Sequence, residues 1–77
     1  MCGIIGINSN KPVSSTIINS LKKLEYRGYD SAGIATLSGG LINEVKSEGR
    51  VNNLEKNSLV QSMEGTIGIG HVRWATH

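Results

Sequence analysis

Ser38-Gly39-Gly40 separates two short runs rich in strand formers, residues 32–37 and 41–46. Paired glycines accept the positive φ that a tight hairpin turn demands, so this spacing predicts two antiparallel neighbours mid-chain. An all-parallel doubly wound sheet joins its strands through helices instead, and the hairpin argues against it. Residues 3–8 are apolar and β-branched and stop at Asn8-Ser9-Asn10, which reads as a short buried strand and a turn. Pro12 suits the first turn of a helix, in which Val13, Ile17, Ile18, Leu21 and Leu24 recur at helical spacing. Lys22, Lys23 and Glu25 are placed on its solvent side, and Gly28, with Arg27 before it, is expected to end it. Tyr29-Asp30-Ser31 reads as a loop. Residues 48–62 carry a rough helical stripe interrupted near Asn57-Ser58, which fits one helix or two short ones. Residues 66–72 form a Gly-rich apolar strand. The order strand, helix, strand, strand, helix, strand predicts an α+β fold with an antiparallel or mixed sheet and about two helices.

With 77 residues and no Phe, the chain makes at most one small domain with a core of Ile, Val, Leu and Ala. A chain this short buries only about 60% of its unfolded surface, so it is marginal without a staple or a partner. A single cysteine forms no internal disulfide, no Cys/His cluster has metal-ligand spacing, and a reducing, cytoplasmic setting fits best. No cofactor is expected. Net charge is +2 and the longest basic run is Lys22-Lys23, too little for a nucleic-acid footprint. Nothing resembles a signal peptide or a membrane span. Gly65, Gly68 and Gly70 lack the strand-then-helix order and the lysine of a phosphate-binding loop.

Cys2 directly follows the initiator Met1. Trimming Met1 would leave one residue carrying a thiol and a free α-amine. Their unperturbed pKa values, about 8.5 and about 7.7–8.0, are close enough for the amine to serve as base near neutral pH. An N-terminal amine is one of the recognised partners of a nucleophile. Free cysteine is also often a small buried hydrophobe, and from Cys2 alone both readings stand. Likewise Arg73 taken singly is a surface cation, Trp74 a core aromatic, His77 a frayed terminus and Arg27 a helix-end charge.

Three segments narrow this: residues 1–6 (Met-Cys-Gly-Ile-Ile-Gly), residues 24–33 (Leu-Glu-Tyr-Arg-Gly-Tyr-Asp-Ser-Ala-Gly) and residues 71–77 (His-Val-Arg-Trp-Ala-Thr-His). In this order and spacing they resemble the glutaminase domain of class II glutamine amidotransferases, which are N-terminal nucleophile hydrolases. The second and third segments resemble the members that aminate fructose 6-phosphate more than the purine-pathway member. The resemblance implies a partial αββα sandwich and a role for each matching residue. Cys2 matches the nucleophile that attacks the side-chain amide of glutamine, forming a γ-glutamyl thioester and releasing ammonia. Arg73 matches the arginine that grips the α-carboxylate, which suits a guanidinium fork. Trp74, Thr76 and His77 match the mobile glutamine-site loop, and Arg27 and Gly28 a loop beside the nucleophile.

The family's chain is longer. Its oxyanion hole, an Asn-Gly pair, and the Asp that binds the α-amine of glutamine come downstream of the matched segment, as does a sugar-phosphate isomerase domain. Residues 1–77 are therefore expected to be the N-terminal portion of a glutaminase domain. Two expectations follow: a glutamine-hydrolysing portion, or an inactive remnant that self-associates or pairs with a separately encoded remainder.

Overall fold

The computed structural model describes residues 2–25 and 29–74, apart from the side chains of Cys2, Tyr29 and Trp74. In chain order the elements are β1 (Cys2–Asn8), α1 (Ser14–Leu24), β2 (Tyr29–Ser38), β3 (Leu41–Glu48), α2 (Val51–Glu55), α3 (Ser58–Gln61) and β4 (Ile67–Trp74). The strands form one sheet in the order β1-β4-β2-β3, and every neighbouring pair is antiparallel. The hairpin forms as its glycines predict: Ser38 pairs with Leu41, and Gly39 and Gly40 take φ of 57° and 78°. β4, last in the chain, inserts between β1 and β2, so the sheet closes only through contacts distant in sequence.

The helices cover one face of this sheet. The predicted stripe on α1 is the buried one: Val13, Ile17, Ile18 and Leu21 join Ala32, Ile34, Val45 and Val72 from the strands. Val51, Leu54, Val60 and Met63 complete the cluster from the α2–α3 region. Each fully buried side chain of this size is worth about 1.5–3 kcal/mol relative to exposure. Gly70 lets α1 approach β4 closely, because a Cβ there would collide with Ile17 and Leu21. Backbone bonds from Ser9 N to Thr66 O (2.8 Å) and from Val13 N to Gly65 O (3.0 Å) tie the start of this helix to the entry of β4.

Four local expectations are corrected. Pro12 lies ahead of α1, whose N-cap is Val13. The helix stops at Leu24 rather than Gly28, with Glu25 already extended at ψ 100°. Glu25 is not solvated either: its side chain is 7% exposed and its Oε2 accepts from Val51 N at 2.6 Å, capping α2. Tyr29–Ser31 is strand, not loop, with an irregularity in register between Tyr29 and Ser31. Residues 48–62 resolve into two short helices, making three in all among the described residues. The break comes at Asn57, whose Oδ1 accepts from Leu59 N at 2.8 Å and caps α3. No helix among the described residues is long and apolar enough to cross a membrane.

Candidate functional site

Antiparallel pairing places directly opposite residues on one face of a sheet, and alternation along each strand sorts residues between the faces. On the face away from the helices, the register lays out four transverse rows. At one end stand Cys2, Arg73, Ser31 and Glu48, and next to them Ile4, His71, Gly33 and Lys46. Then come Gly6, Ile69, Ala35 and Glu44, and last Asn8, Ile67, Leu37 and Ile42. The first two rows therefore carry most of the polar chemistry, and the last two are apolar except for Glu44 and Asn8 on the outer strands. The face is open: Ile4 is 75% exposed and Ile42 74%, whereas Val72 on the helix side is fully buried.

The first row bears directly on the sequence reading. Cys2 opens β1 and stands opposite Arg73 near the end of β4, so 70 residues of intervening chain return to one spot. Arg73 is exposed and its Nε lies 3.5 Å from Asp30 Oδ2, an ion pair that orients the guanidinium from the β2 side. The pair is open to solvent, so its worth is only about 0–1 kcal/mol. Trp74 closes β4 and pairs by backbone with Tyr29. Arg27, Gly28, Thr76 and His77, also predicted to serve the site, lie outside the described residues.

Two neighbours were quoted in the motifs without a role. Asp30 holds Arg73, and His71 sits two residues before Arg73 on the same face. The imidazole lies across Gly33 so closely that a Cβ there would stand 2.5 Å from His71 Nε2. Period-two alternation counted back from Arg73 is the signal that would have found His71.

Chemically, this end of the sheet combines a cysteine position, an exposed cation paired with Asp30 and an imidazole, which suits an amino-acid substrate bearing a carboxylate and an electrophilic carbonyl. Only one wall of a cleft is described. Two concavities, of about 570 and 420 Å³, lie among the helices and include no residue of the Cys2–Arg73 row. Among the described residues, no group of His, Cys, Asp and Glu side chains is placed to hold a metal ion.

No protein-family model matches the chain. It is 54% identical over all 77 residues to a protein of Bradyrhizobium diazoefficiens described as glutamine–fructose-6-phosphate aminotransferase [isomerizing]. It is 56% identical over the same length to the Brucella abortus protein of that description. In both cases the chain spans 13% of the relative's length. A solved structure described as the allosteric regulatory enzyme of purine biosynthesis superposes with a TM-score of 0.85 at 28% identity. That match covers 99% of this chain and 16% of the other. The four antiparallel strands with short helices on one face are thus an α+β fragment of the N-terminal nucleophile hydrolase type, as the motifs implied. By sequence and by fold, the 77 residues correspond to a stretch of a glutamine amidotransferase of the isomerizing glutamine–fructose-6-phosphate aminotransferase family.

Proposed function

We infer that this chain carries the nucleophile and the carboxylate anchor of a glutamine-hydrolysing site. The observation that supports the reading is the direct opposition of Cys2 and Arg73 at the polar end of the open face. Arg73 grips the α-carboxylate of glutamine while the free α-amine of Cys2, exposed once Met1 is removed, takes the thiol proton. The thiolate adds to the γ-carbonyl. Collapse of the adduct breaks the C–N bond, and the proton leaves with ammonia. A γ-glutamyl thioester remains, which water hydrolyses to glutamate and free thiol. In the longer relatives the ammonia would go to fructose 6-phosphate, and a cytoplasmic setting accords with a nucleophile that must stay reduced. Arg27, Gly28, Trp74, Thr76 and His77 would complete the pocket around the glutamine side chain, and residues 1–77 would be the first portion of the glutaminase domain.

Formation and hydrolysis of the thioester both pass through a tetrahedral oxyanion, and each donor to that oxygen is worth about 10²–10³ in rate. The open face supports a second reading on the same ground, namely a chain without turnover of its own. Intact mass spectrometry after treatment with a glutamine analogue bearing a γ-chloroketone tests both. One adduct on Cys2, on chain lacking Met1, suppressed by glutamine and by Arg73→Ala, is the expected result. Retention of Met1, or labelling indifferent to Arg73→Ala, overturns the glutamine site. Labelling without glutamate release, with none restored by the rest of a relative's domain, favours the inactive reading.

A further inference from the structure

Beside Arg73, β2 carries one residue more than β4. Tyr29 pairs with Trp74 and Ser31 with Arg73, so Asp30 is the extra residue of a bulge. The main chain holds it from the far side, where Gly49 N, at a φ of 82°, donates to Asp30 O at 3.0 Å. A bulge sets two residues of one strand against one of its neighbour. Asp30 and Ser31 therefore both stand against Arg73, and the Asp30 carboxylate already reaches its Nε. An ionised Asp30 can only accept, whereas the Ser31 hydroxyl carries a donor that it can rotate to aim. Ser31 also lies on the open face, in one transverse row with Arg73 and Cys2.

We propose that Ser31 is a second binding group for the α-carboxylate of glutamine, acting beside Arg73; this rests on the glutamine site inferred above. The spacing of the row carries it. Neighbouring strands lie about 4.8 Å apart. In extended glutamine the carboxylate carbon and the side-chain amide carbon are separated by four C–C bonds of about 1.5 Å, which span about 5 Å. With the amide carbon over β1 at Cys2, the carboxylate falls over β4 at Arg73 and turns an oxygen towards β2. Ser31 is the residue that β2 presents there. Asp30 makes a second donor matter, because its charge beside the guanidinium offsets part of the pull on an incoming carboxylate. A neutral hydroxyl donates to that carboxylate without adding a further charge.

Saturation kinetics of Cys2 labelling by the glutamine γ-chloroketone, followed by intact mass spectrometry, test this. Ser31→Ala is expected to raise the half-saturating concentration about tenfold, as loss of one hydrogen bond to a charged group should, and to leave the limiting rate within about threefold. Ser31 is half-buried on the open face, so the alanine variant leaves the core untouched. Ser31→Thr keeps the hydroxyl and should restore the parent value. The α-carboxamide of the same reagent lacks the anion, and it should label the parent chain and Ser31→Ala with the same concentration dependence. That comparison separates recognition from folding, because a loosened sheet would weaken labelling by both reagents alike. An unchanged half-saturating concentration in Ser31→Ala overturns the proposal, and so does an equal loss towards both reagents. If the parent chain is labelled without saturation, or indifferently to Arg73→Ala, the glutamine site itself fails and the role of Ser31 falls with it.

Discussion

Thr36 lies in the middle of β2 on the helix-facing side, 1% exposed, and its Oγ1 has no hydrogen-bond partner among the described residues. A buried hydroxyl without a partner carries its desolvation cost uncompensated, about 1–3 kcal/mol. Valine keeps the β-branched shape and removes that cost. Thr36→Val is therefore expected to stabilise the chain by about 1 kcal/mol, which for a domain of this size raises Tm by about 4–8 °C in thermal unfolding. A lower Tm would show that the hydroxyl has a bonding role in the fold. Arg73 presents the opposite case, a polar group whose exposure matters more than its stability. Its ion pair with Asp30 is weak in energy, and it sets an acceptor beside the guanidinium at the Cys2 end of the sheet. Motif spacing alone brings the cation and the cysteine into one resemblance; their register on adjacent strands supplies the geometry.

Elements in this chain are legible wherever the deciding forces are local. The Gly39-Gly40 turn and the apolar stripe of α1 depend on backbone sterics and on periodicity, and both form where the sequence puts them. The end of α1 does not. Gly28 after Arg27 is a good local stop, yet the helix ends at Leu24 because Glu25 is drawn away to cap α2 from 26 residues off in sequence. Local propensity carries no trace of such a contact. The insertion of β4 between β1 and β2 is illegible for the same reason, since alternation identifies a strand without naming its neighbours. The Glu25 clasp also joins the two helical regions, with Arg50 Nη2 at 4.0 Å from Glu25 Oε1. Glu25→Ala leaves Val51 N–H without its acceptor and is expected to cost about 1–3 kcal/mol, read as a lower urea midpoint. Glu25→Gln keeps an acceptor oxygen and should lose less. Equal losses in the two variants would mean that charge rather than the cap holds the clasp.

Taken whole, the molecule is a sheet finished on one side. Helices seal the face that carries Val72, Ile34 and Ala32, while Ile67, Ile69, Leu37 and Ile42 remain in solvent on the other. Contiguous apolar surface of this kind marks a place where something docks, and the relatives, of which this chain spans 13%, have ample length to supply it. The polar row of Cys2 and Arg73 lies on the same open face, so whatever covers the apolar half also walls the candidate site. The asymmetry has a direct test in Ile69, which is 56% exposed on β4, one of the two inner strands. Ile69→Lys is expected to leave unfolding free energy within about 0.5 kcal/mol of the parent chain while reducing the binding of a hydrophobic dye. A lysine on the sealed face at Val72 would instead bury an unpaired charge, and the sheet would not survive it. If Ile69→Lys unfolds the chain as Val72→Lys does, the open face is already packed in solution, and the site beside it is already enclosed.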